Sequence, residues 1–194
     1  VEIPSLTVDS VNRITTMRTD PGGKGINVSK VIDKLGKKSI ATGILGGDTG
    51  NAIQSALQAM GLETSFRFVK GETRTNLKVI DPVNHTNTDI NEPGVTVSEE
   101  ILNGVLQDLL TKVKTGDLVV ISGSLPKGSP KDTYYTWVKA CKEAGAKVIL
   151  DADGDLLAAG IKASPYLIKP NNHELSGLLG RTLHTPRELE AAAR

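Results

Sequence analysis

The residues best suited to chemistry stand together near the start of the chain, in Gly22-Gly23-Lys24-Gly25-Ile26-Asn27-Val28-Ser29, just after Pro21. Glycines leave backbone N–H groups unshielded, so an anion can approach them closely. A helix start concentrates unpaired N–H donors and a partial positive charge. Lys24 adds a full charge, and Asn27 both donates and accepts. A phosphorylated or hydroxyl-rich small molecule suits such a segment. It is not a Walker A loop, because no Gly-Lys-Ser/Thr follows at the required spacing. It is not a dinucleotide fingerprint either, because Val28 stands where a third glycine belongs. Alone, the glycines need be no more than a tight turn; with Lys24 and Asn27, ligand contact is the better reading.

Four other groups offer chemistry. Arg74, in Arg74-Thr75-Asn76, could bind a phosphate through paired hydrogen bonds, or be an exposed strand arginine. Ser122-Gly123-Ser124-Leu125-Pro126-Lys127-Gly128 could present N–H and hydroxyl groups, or be an ordinary loop. Asp151 could be a sugar-site or metal-linked carboxylate, or a helix cap. In Lys169-Pro170-Asn171-Asn172-His173-Glu174, Asn171 and Glu174 have the spacing of a capping box. The functional alternative has Asn171 and Glu174 orienting a hydrated magnesium ion beside nucleotide phosphates, with Lys169 neutralising charge. His85 reads as a solvated turn residue and Cys141 as packing.

Apolar spacing supplies the elements that must position these groups. Val28, Val31, Ile32 and Leu35 predict a helix ended by Gly36. Ser39–Leu45 reads as a buried strand. A second helix follows, capped by Asp48 or Thr49 and ended by Gly61. Leu62–Val69, Arg74–Ile80 and Thr86–Ile90 read as strands of a small antiparallel insertion, with Val11–Arg18 as a further member. Parallel α/β order then resumes. Ser98 caps a helix; strands at Asp117–Ser122, Lys147–Leu150 and Tyr166–Ile168 alternate with helices at Asp132–Ala144, Gly154–Ala159 and Asn172–Leu179. Ligands of open parallel sheets sit beyond the C-terminal strand ends, which here carry Ser122-Gly123-Ser124, Asp151, and Lys169 with Asn171.

Composition narrows the function. With 23 basic and 22 acidic residues in 194, nothing favours nucleic acid or a membrane as partner. The single cysteine, Cys141, allows no internal disulfide and suits the cytoplasm. No apolar run approaches membrane-spanning length. The three histidines lack metal-ligand spacing. The chain begins without methionine inside a strand-like run and stops at Arg194 within a helical pattern, so truncation at both ends is expected.

Together these segments resemble the ribokinase-type (PfkB) carbohydrate kinases. Gly22–Ser29 resembles that family's first signature, and Lys169–Glu174 its N-x-x-E element. Ile121–Gly128 and Thr88-Asp89-Ile90-Asn91-Glu92-Pro93-Gly94 resemble its hexose-phosphate branch. The resemblance implies a ribokinase-like three-layer α/β/α body with a small β-sheet lid, built from parts of residues 1–18 and 64–91. It implies ATP-dependent phosphorylation of a ketohexose phosphate. The forms of the glycine segment and of Arg74-Thr75-Asn76 favour fructose 1-phosphate over tagatose 6-phosphate. Gly23, Lys24, Asn27 and Arg74 would then hold the sugar phosphate. Lys169, Asn171 and Glu174 would serve ATP, with Glu174 reaching Mg²⁺ through water. Lids of such kinases pair into homodimers, which is expected here. The family's catalytic aspartate lies in a C-terminal Gly-Ala-Gly-Asp motif that these 194 residues lack. The general base is therefore expected outside this chain. The other reading consistent with that lack is a non-catalytic sugar-phosphate sensor.

Overall fold

In the computed structural model, which describes residues 1–193, the first helix, α1 (Lys24–Lys34), leads into β1 (Ile40–Gly46). A crossover helix, α2 (Gly47–Ala59), returns the chain to β2 (Glu63–Val69). β1 and β2 pair in parallel, from Ile40 opposite Glu63 to Gly46 opposite Val69. That pairing corrects the expectation that Leu62–Val69 joins an antiparallel set. Alternation identifies a strand but not its neighbour; the crossover helix chooses the neighbour, because parallel strands need one.

The antiparallel element is β3 (Asn76–Asp81) with β4 (Thr86–Asn91), joined by a turn in which His85 has φ 53°. The N-terminus adds to it. The Val1 ammonium donates to the Lys78 carbonyl at 2.8 Å, and the Ile80 N–H to the Val1 carbonyl at 2.9 Å. Glu2 bridges both Ile80 and Thr16. Val11–Arg18 is not a strand. Among the described residues only Thr16 of that run pairs, in the bridge to Glu2, and the chain just before it is folded into a local turn, where the Asn12 side chain donates to the Thr7 and Ser10 carbonyls and accepts from the Thr7 N–H.

Beyond the hairpin, α3 (Glu99–Leu110) starts at Ser98, whose hydroxyl accepts from the Ile101 N–H as the sequence predicts. Then come β5 (Leu118–Ser122), α4 (Thr133–Glu143), β6 (Lys147–Asp151), α5 (Gly154–Ile161), β7 (Leu167–Ile168), α6 (Asn172–Leu179) and α7 (Pro186–Ala193). Arg194, the last residue of the helical pattern noted above, lies outside the described residues. β5, β6 and β7 form one parallel sheet with β6 in the middle. The main core lies between this sheet and α4 and α5, where Val138, Cys141, Val148, Leu150 and Leu157 are fully buried. Burial raises the Cys141 thiol to about 11, so it packs as the sequence suggests and does not react. α1 packs against both β1 and β5, and so carries the glycine segment to the C-terminal ends of the parallel strands.

Candidate active site

The glycine segment does its work at the first turn of α1. The helix begins at Lys24, earlier than the apolar spacing from Val28 implies. Its N-cap is Gly23, with φ 117° and no side-chain cap, so the first N–H groups stay available to an anion. A non-glycine residue at that φ would be strained. Gly25 lies against the end of β5: a Cβ there would stand 3.4 Å from the Ser122 Oγ. The Ser122 hydroxyl is buried and, among the described residues, has no hydrogen-bond partner.

The three strand ends meet as parallel topology requires. Lys24 Nζ lies 3.1 Å from Asp151 Oδ1, and Lys169 Nζ lies 3.3 Å from the same oxygen. Asp151 ends β6 and is buried, whereas both lysine heads reach solvent. The Asp151 carbonyl accepts from the Gly123 N–H at 3.1 Å, and the Tyr134 hydroxyl donates to the Gly123 carbonyl at 2.9 Å. Burial, followed by the charges of Asp153 and Asp151, pushes the Tyr134 hydroxyl far above its usual range and keeps it a neutral donor.

Arg74 reaches this rim from the other side. It lies two residues before β3, not within it, and its Nη2 donates to the Ser124 Oγ at 2.9 Å. The preceding residues fix its place. Glu72 accepts from the Asp48 and Thr49 N–H groups at 3.0 and 3.1 Å, and Thr73 exchanges hydrogen bonds with Gly46. Glu72 therefore caps α2, where the sequence points to Asp48 or Thr49. The Thr49 and Asp48 N–H groups hold its carboxyl below the ordinary glutamate range.

Asn171 and Glu174 bond to each other. The Asn171 Oδ1 accepts from the Glu174 N–H and the Glu174 Oε2 from the Asn171 N–H, both at 2.8 Å. This is the predicted capping box at the start of α6. Beside it lies a cavity of about 410 Å³ between α5 and α6, lined in part by Gly154, Asp155, His173 and Glu174. Asn27 is exposed on the first turn of α1. The structure thus joins Lys24 to Lys169 through Asp151, Arg74 to Ser124, and Asn171 to Glu174. The sequence flagged Asp151 and Ser124 only as possibilities and missed Glu72, whose partners lie on a different element.

The donor set fits a polyphosphate, since the Lys24 ammonium from the start of α1 and the Lys169 ammonium from the end of β7 meet at the end of β6. Among the described residues no group of three or more His, Cys, Asp or Glu could hold a metal alone. A magnesium ion brought in on phosphates needs few protein ligands. The Glu174 Oε1, which the capping box does not use, suits contact through water.

The description "pfkB family carbohydrate kinase" matches residues 2–194. The chain belongs to the pfkB family. It is 38% identical over 188 residues to a 1-phosphofructokinase of Bacillus subtilis, covering 97% of this chain and 61% of that protein. It is similar, at TM-score 0.92 and 30% identity, to Escherichia coli phosphofructokinase-2 solved with substrates and products; 99% of this chain and 62% of that one are covered. A possible 1-phosphofructokinase from Thermotoga maritima matches at TM-score 0.87 and 33% identity, over 98% of this chain and 62% of that one. The chain therefore spans about three fifths of the length of these relatives. The ribokinase-like α/β fold expected from the sequence is borne out.

Proposed function

We propose that the protein carrying this chain is an ATP-dependent kinase that converts fructose 1-phosphate to fructose 1,6-bisphosphate. The observation that carries this reading is the pair of cations, Lys24 and Lys169, gathered at the strand ends of a pfkB-family fold. On the sugar side we place Gly23, Lys24, Asn27 and Arg74. Lys24 and the N–H groups after Gly23 meet the acceptor, and Arg74 takes the phosphate it already carries, where a guanidinium fork matches two oxygens. On the nucleotide side we place Lys169, Asn171 and Glu174. Magnesium, when bound with ATP, would neutralise phosphate charge through water held by Glu174. The acceptor hydroxyl gives up its proton and attacks the γ-phosphorus as the bond to the ADP oxygen breaks, so ADP and a proton are released. Such transfer rests on positioning and charge stabilisation, which these residues provide. No general base is assigned among these 194 residues.

A homodimer formed through the β3–β4 lid, and a cytoplasmic location where ATP is abundant, belong to the same proposal. Among the described residues no helix is long and apolar enough to cross a membrane. The deciding experiment is ADP release by the protein that carries this chain, with fructose 1-phosphate and tagatose 6-phosphate as competing acceptors. We expect a higher kcat/KM for fructose 1-phosphate. The opposite preference reassigns the acceptor; turnover of neither removes the kinase reading and leaves the sensor.

A further inference from the structure

Lys24 and Lys169 serve different substrates in the proposed reaction, yet both ammonium groups meet one carboxylate oxygen, Asp151 Oδ1, at 3.1 and 3.3 Å. The three side chains differ in freedom. The Asp151 side chain is only 12% exposed, against 41% for Lys24 and 63% for Lys169. Asp151 ends the central strand of its sheet, between the fully buried Leu150 and the buried Ala152, and its carbonyl is tied to Gly123. The carboxylate is therefore the fixed point, and the two lysines are long chains that fan out from it. A mostly buried carboxylate is tolerated when cations compensate it. An ammonium has three donors, so each lysine can keep Asp151 with one and offer two to a phosphate.

Resting on the kinase reading, we propose that Asp151 is a positioning residue shared by the two substrate subsites. It is the common counter-ion that holds Lys24 for the sugar phosphate and Lys169 for the nucleotide, so that each lysine's place depends on the other. The carboxylate also repels the anions these lysines attract. If that repulsion dominated, its removal would tighten binding; if positioning dominates, removal loosens it. Ordering two flexible lysines on one rigid group favours positioning, because an unheld lysine loses rotamer freedom when it binds.

The test is binding without catalysis, by calorimetry on the protein that carries this chain, with fructose 1-phosphate and ADP as probes. Asp151→Asn should weaken both ligands at least about threefold, within the range of coupling between neighbouring side chains. In a Lys24→Ala background, Asp151→Asn should weaken fructose 1-phosphate no further but still weaken ADP. In a Lys169→Ala background the pattern should reverse. A general structural defect would not switch ligand with background. The inference is overturned if Asp151→Asn leaves either ligand unchanged or tighter, or if its effect is the same in every background. Should Asp151→Asn fail to fold, Lys24→Met carries the test: it must alter ADP affinity across the site, and an unchanged ADP affinity overturns the shared role. A wild-type protein that binds neither ligand overturns the kinase reading itself, and this inference with it.

Discussion

At the scale of single residues, Arg74 makes the sharpest prediction. Among the described residues its one hydrogen-bonded side-chain partner is the neutral Ser124 hydroxyl, so most of the guanidinium's donors remain for a phosphate. Losing a charge-assisted contact of this kind costs on the order of 1.5–3 kcal/mol. Arg74→Ala should therefore raise KM for the sugar phosphate about tenfold or more, while KM for ATP changes little; steady-state kinetics with each substrate varied decides it. Equal changes in both would remove Arg74 from the sugar side. The legible residues were those whose partners are close in sequence. Asn171 and Glu174 are three apart, and their reciprocal bonds follow from that spacing alone. Lys24 and Asp151 are 127 positions apart, and only the return of parallel strands to a common edge brings them together.

At the scale of elements, the hairpin is held to the N-terminal segment by Asp81. This buried carboxylate accepts from the N–H groups of Asn84 and Leu6 and from the Asn84 side chain, each at 2.8 Å. Those bonds, the Asn84 N–H foremost, lower its pKa to about 2. A carboxyl depressed in the folded state stabilises fully above its ordinary value and loses that contribution as pH falls through the folded one. The Leu6 and Asn84 amide resonances should therefore hold their positions down to about pH 4, the ordinary aspartate range, and shift together as pH approaches 2. A shift centred near pH 4 would show that the depression is absent. In the core, Gly160 on α5 lies so near β6 that an added Cβ would stand 2.5 Å from the Leu150 Cδ2. Leu150 is fully buried and cannot swing outward. Gly160→Ala should cost about 1–3 kcal/mol through overpacking, read as a lower thermal midpoint; an unchanged midpoint would mean the core yields there. Helices were read well because caps such as Ser98 are local. The β2 assignment failed because a run of seven residues does not state its neighbour, and the α2 cap failed because Glu72 arrives from a separate loop.

At the scale of the whole molecule, the α/β order was legible, whereas the exposed apolar pair on the β3–β4 hairpin was not. All six residues of β4 are exposed, and across the hairpin Leu77 faces Ile90, at 37% and 57% exposure. A two-stranded sheet is marginal by itself, and an open edge strand with apolar neighbours invites pairing. The N-terminal segment supports the β3 side through Val1 and Ile80, and among the described residues no other strand pairs with β4. A second copy of the lid would cover both the edge and the Leu77–Ile90 pair. The protein that carries this chain should accordingly run as a dimer at micromolar concentration. Leu77→Glu with Ile90→Glu should convert it to monomer, because two carboxylates would then face each other across the hairpin and repel their counterparts in the second copy. Light scattering coupled to size exclusion reads the outcome. If the pair's exposure were incidental, the double substitution would leave the mass unchanged. A wild-type monomer would remove the lid from the interface, while leaving the site at the strand ends as described.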